Sequence, residues 1–194
     1  MATTRDVDTI VVSTHLTDED PFKSDVYSVL GVECLTEFSY WAGVSSVWQK
    51  GYTVINIEHD MERSDELVAG LLECPHPLCA YAYTVYPTAL GRYIYCATRD
   101  RITDAEFDAG LRPGWISEGE EWADWSSIGF CKIAPSAQLQ PLDKMFWQWF
   151  EHTINRSACH TEQVGHQAVR NRWHIHWPEV QHFHDYERIP DHLW

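Results

Sequence analysis

Two short runs rich in β-branched residues, DTIVVSTHL (Asp8–Leu16) and YTVINI (Tyr52–Ile57), constrain this chain most. Consecutive apolar residues such as Ile10, Val11 and Val12 suit a strand covered on both faces, since alternate side chains point to opposite sides. Each run ends in polar or charged residues, as a strand does on reaching a loop. Between them, from about Cys34 to Gln49, the residues Leu35, Phe38, Trp41, Ala42 and Trp48 fall near one face of a helix, and Gly51 supplies a stop. After the second run, Ser64 can cap a helix beginning DELVAGLLE, with Asp65 and Glu66 in its first turn. Leu67, Val68, Leu71 and Leu72 make its inward face, and Pro75 and Pro77 close it. Strand, helix, strand, helix predicts an α/β layer with a mainly parallel sheet.

Further along, LCAYAYTVY and RYIYCAT are strand candidates rich in tyrosine and β-branched residues, and SIGFCKI (Ser127–Ile133) is another strand candidate. The acidic stretch 103–125, dotted with Gly and Trp, reads as a long loop or lid. PLDKMFWQWFEHTI (Pro141–Ile154) reads as a helix with proline in its first turn. No repeat or clean linker divides the 194 residues, so one domain is expected over 1–194.

A formal charge of −15 repels polyphosphate, which disfavours broad nucleic-acid binding, although Arg156, Arg170 and Arg172 could form a local basic patch. No apolar run approaches a membrane span, and MATTRDVDTI lacks a signal-peptide core. The six cysteines are therefore expected as reduced thiols in a cytoplasmic protein, or in a host's cytoplasm if the chain is viral. Ten tryptophans and nine tyrosines suit either a heavy core or a pocket whose flat faces stack on sugars and bases.

Three clusters could carry chemistry. Glu58 and Asp60 follow the second strand, where open parallel sheets bind ligands, and carboxylates two residues apart can reach one hard cation. Eight of the eleven histidines lie at or after His152; His174 and His176 share a face of an extended segment, as do His182 and His184. One of these imidazoles could complete a shell with Asp60. Cys74, His76 and Cys79 could begin a zinc site, completed by Cys159 and His160, but no second close cysteine pair appears and buried thiols are the favoured reading. Glycine-rich phosphate loops and the G-x-S-x-G elbow are missing from the sequence. Metal-bridged carboxylates are then the available means of holding a nucleotide.

In order and spacing, TIVVSTH, VINIEHD, ECPHPLCAYAY, WSSIGFCKI and WHIHWPEVQHFH together resemble a small glycosyltransferase of the GT-A type, of the short kind found among phage and bacterial sequences. That resemblance implies a GT-A-like, Rossmann-type sheet, mostly parallel and flanked by helices. It implies a nucleotide-diphosphate sugar as donor, with manganese or magnesium holding the diphosphate. VINIEHD stands for the family's Asp-x-Asp motif, with Glu58 in the place of the first aspartate. Asp60 would be the main metal ligand, Glu58 would contact ribose or metal, and His176 or His182 would complete the shell. Thr14 and Lys132 would lie with the donor. Asp124 and Glu151 are the candidates for the base that deprotonates an acceptor hydroxyl, with Glu151 preferred. The acceptor is unassigned, a modified phage DNA base being one option. Two alternatives remain: a metal-dependent hydrolase using Asp60 and the His-x-His pair, or a non-catalytic module whose aromatics form a binding platform.

Overall fold

The computed structural model describes residues 8–33, 37–85, 91–99, 114–137 and 173–183. The predicted strands form as β1 (Thr9–His15) and β3 (Thr53–Ile57), covered on both faces. Between them the chain makes β2 (Ser28–Glu33), which the sequence pattern does not announce, and then α1 (Glu37–Trp48). β2 is an edge strand with exposed Leu30 and a central glycine, so it lacks the apolar run that marks an interior strand. Helix α2 (Asp65–Glu73) begins as expected, with the Ser64 hydroxyl accepting from the Leu67 amide at 3.2 Å. The later strands are β4 (Leu78–Tyr81), β5 (Thr84–Val85), β6 (Ile94–Tyr95), β7 (Ala97–Thr98), β8 (Trp122–Ala123), β9 (Trp125–Ser126), β10 (Phe130–Ile133) and β11 (Trp173–His176).

Seven strands join in the order β2-β1-β3-β10-β4-β11-β8. β2, β1 and β3 run parallel, as do β4 and β11, but β10 lies antiparallel between β3 and β4, and β8 is antiparallel to β11. The expected helix-flanked, Rossmann-type α/β sheet is therefore corrected to a strand-rich mixed sheet, with two helices among the described residues. The physical reason lies in the tyrosine- and threonine-rich middle of the chain. Instead of feeding further strand–helix units, Thr84–Val85 and the RYIYCAT run fold into short antiparallel pairs, β5 with β6 and β7 with β9. The described part of the expected 103–125 loop likewise holds β8, and a bridge joins Trp115 to Thr98. The expected helix over Pro141–Ile154 lies outside the described residues.

One helix packs on each face. α1 turns Val44 and Val47 toward Val12, Val54, Leu78 and Ile133, while Ala42, expected on this face, is exposed. α2 turns Val68 and Leu71 toward Val11, Ile55, Ile57 and Phe130. Burying each of those two α2 side chains contributes ~1.5–3 kcal/mol, enough to dock a nine-residue helix that would not persist alone. Among the described residues no helix is long and apolar enough to cross a membrane.

Candidate functional site

Parallel pairing brings the C-terminal ends of β1, β3, β4 and β11 toward one edge of the sheet, and the chain just beyond β3 makes the site. The Glu58 amide donates to the Gly129 carbonyl at 2.7 Å, tying the exit of β3 to the start of β10. A turn follows, in which the Met61 amide donates to the Glu58 carbonyl at 3.1 Å. The segment after β11 then runs antiparallel to this turn. Met61 bridges to His182, the Phe183 amide donates to the Asp60 carbonyl at 2.7 Å, and the Glu62 amide donates to the Gln181 carbonyl at 2.8 Å.

This backbone clamp sets His182 against Asp60, 122 residues away, with Nε2 3.0 Å from Oδ2. Their side chains are 7% and 24% exposed. The Nδ1 of His182 lies 3.1 Å from the Thr84 carbonyl, which can only accept, so Nδ1 carries a hydrogen and Nε2 is the atom that pairs or ligates. Burial by itself raises the Asp60 carboxyl, but the hydrogen bond and charge of His182, with His59 behind them, hold it below its ordinary value. For His182 burial works downward, and the bond and charge of Asp60 outweigh it, so the imidazole is raised. The second carboxylate oxygen, Oδ1 of Asp60, is buried with no hydrogen-bond partner among the described residues.

Glu58 turns toward Tyr83 over the bare backbone of Gly129. A Cβ on that glycine would stand 2.6 Å from the Tyr83 hydroxyl and 3.2 Å from Glu58 Oε2, which is why glycine is needed there. The Tyr83 ring meets His182 edge-on, with centroids 5.1 Å apart, and burial pushes its hydroxyl well above the ordinary range. Beyond Thr84 opens a cleft of about 390 Å³ lined by Arg92, Tyr93, Tyr95 and Trp115.

The remaining expected site residues have settings of their own. Thr14 is buried, with its hydroxyl 3.5 Å from the Ile57 carbonyl, so it braces the ends of β1 and β3. His176 does not join Asp60: alternation along β11 turns it, with His174, toward the α2 face, where it neighbours Cys74 and Cys79. Lys132 is also displaced from a donor site. Because β10 runs antiparallel, Phe130 pairs with Ile57 at the site edge while Lys132 pairs with Ile55 deeper in, where its ammonium donates to the Cys74 carbonyl. Asp124 sits half-buried between β8 and β9, its amide bound to the Thr98 carbonyl at 2.8 Å. Glu151 lies outside the described residues, as do Cys159, His160 and His184. Thr84 and Tyr83 escape sequence reasoning; they act through a carbonyl and a ring edge, which leave no sequence pattern. Gly129, a lone glycine entering a buried strand, carries a readable signal of close approach.

No family model matches the chain, and no curated protein does. Among solved structures, one described as A197 from STIV is similar over 91% of this chain and 86% of its own, at 14% identity and a TM-score of 0.49. A likeness of that degree adds nothing to the reading of the site.

Proposed function

We propose that the chain is a divalent-cation-dependent transferase that moves a sugar from a nucleotide-diphosphate donor to a hydroxyl acceptor. The observation that carries this reading is the meeting of Asp60 with His182, beside Glu58, at the sheet edge where parallel strands end. The residues fit a magnesium- or manganese-like cation. Two cis ligands about 2.1 Å from an octahedral ion stand about 3 Å apart, which matches the 3.0 Å between Nε2 and Oδ2. The orphaned Oδ1 gives a further reason for a cation to belong there, since a buried carboxylate oxygen without a partner is costly.

A cation held by Asp60 and His182 supplies charge neutralisation for the departing nucleoside diphosphate. Thr84 would keep His182 in the ligating tautomer, and Glu58, two residues before Asp60, would contact ribose or cation. Asp124 or Glu151 would take the acceptor proton as its oxygen bonds to the anomeric carbon and the bond to the diphosphate breaks. Tyr93, Tyr95 and Trp115, with the Arg92 guanidinium, suit the flat faces of a base or sugar in the neighbouring cleft. In the hydrolase alternative a His-x-His pair joins Asp60; His174 and His176 line the α2 face, so that part would fall to His182, with His184 outside the described residues. The free cysteines Cys74, Cys79, Cys96 and Cys131 fit a reducing compartment such as the cytoplasm.

A thermal-shift panel of nucleoside diphosphates and nucleotide sugars, with and without Mn²⁺ or Mg²⁺, tests the reading. At a hundredfold excess over Kd the ligand should add about 2.7 kcal/mol, or ~5–10 °C, only with the cation present, and Asp60→Ala should abolish the shift. Stabilisation independent of cation, or none with any nucleotide, would refute it and leave the binding-module alternative.

A further inference from the structure

The α2 face carries a second group of ligating side chains that the proposed transfer does not use. Strand pairing sets Lys132 beside Cys79 and Cys79 beside His174, and sets Tyr81 beside His176. Cys74, the C-cap of α2, hangs over this row. The sulfurs of Cys74 and Cys79 and a ring nitrogen of His176 all lie within 4.8 Å of one another. His174 adds its Nδ1, 3.4 Å from the Cys74 sulfur. The His176 Nε2 is buried and has no hydrogen-bond partner among the described residues, an expense that a ligand would remove.

We propose that Cys74, Cys79, His174 and His176 bind one zinc ion in a closed site that ties the end of α2 and the turn after it to β4 and β11. Two thiolates and two imidazoles are a donor set that selects zinc over the hard cations suited to Asp60. With Zn–S near 2.3 Å and Zn–N near 2.0–2.1 Å, a tetrahedral ion separates sulfur from nitrogen by about 3.5 Å and sulfur from sulfur by about 3.8 Å. The His174–Cys74 spacing already has that value, and the separations among Cys74, Cys79 and His176 need to close by roughly 1 Å at most. On binding, the two thiols release their protons to solvent, and the resulting thiolate charge balances the ion. Lys132, at the strand position paired with Cys79, sets its buried ammonium beside the proposed thiolates. The site needs β11, which explains why Cys74, His76 and Cys79 by themselves show only half of a zinc pattern.

The test uses the full chain, isolated under reducing conditions. Metal analysis should find an equivalent of zinc, and replacement with Co²⁺ should give the thiolate-to-cobalt charge-transfer band and the intense visible bands of a tetrahedral ion. That band should survive Asp60→Ala, which separates this site from the proposed cation site. His176→Gln should weaken zinc binding by at least the ~10–100-fold that losing even an outer partner of a metal ligand costs. Should the variant fail to fold, the wild-type chain still decides: zinc should protect Cys74 and Cys79 from alkylation, and a chelator should expose them. A folded, reduced chain with no charge-transfer band, alkylation indifferent to zinc, or a Cys74–Cys79 disulfide in freshly isolated protein would each overturn the proposal.

Discussion

The Asp60–His182 pair can be measured without any ligand, by a double-mutant cycle in buffer free of added cations. Removing one partner of a fully buried ion pair costs ~3–5 kcal/mol, because the other charge is left stranded. Here His182 is almost enclosed and Asp60 keeps about a quarter of its exposure, so His182→Ala and Asp60→Ala should each cost ~2–4 kcal/mol near pH 6. The double variant should lose only ~1 kcal/mol more than either alone, a coupling of about 2 kcal/mol, because the packing each side chain makes with the rest of the protein cancels around the cycle. Urea titrations read by tryptophan fluorescence give the numbers. The dependence on pH follows from the two shifts. His182 is raised, so its contribution is complete below its ordinary 6.5 and is lost as pH climbs through the folded value. Asp60 is lowered, so its contribution is present above its ordinary 3.8 and is lost as pH falls through the folded value. Coupling should therefore peak between those ordinary values and fade in alkali. Single costs that simply add, to within about 0.5 kcal/mol, or a coupling unchanged at pH 9, would refute the pairing.

Gly129→Ala should destabilise the chain by ~1–3 kcal/mol, because its Cβ meets the Tyr83 hydroxyl at 2.6 Å; adding Tyr83→Phe should recover part of the loss in the same melts. Ser64→Ala should cost ~0.5–2 kcal/mol by freeing the Leu67 amide, measurable by denaturant titration. If a nucleotide sugar is identified by thermal shift, Asp124→Asn and Glu151→Gln separate the two candidate bases. The true base should lose ~10²–10⁴-fold in kcat with the cation-dependent shift retained, and the other should lose little.

Short-range physics made much of this protein legible. The consecutive β-branched residues of β1 and β3 need cover on both faces, and Ser64 with Asp65 and Glu66 announces α2; all three elements form where those signals lie. The carboxylates at the end of β3 were readable for the same reason, since a buried strand that stops in charge must open onto an edge. Edge strand β2 was not legible, because half-exposed residues carry no apolar run. Nor was the antiparallel placement of β10 between β3 and β4. Strand order and direction depend on pairing between distant segments, which leaves no period in either one. That placement moved Lys132 away from the expected donor site and under α2. The histidines divide in the same way. Alternation says that His174 and His176 share a face, but the pairing of β11 with β4 decided that this face belongs to Cys74 and Cys79. Six residues further on, the backbone clamp on residues 60–62 decided that His182 is the one to meet Asp60.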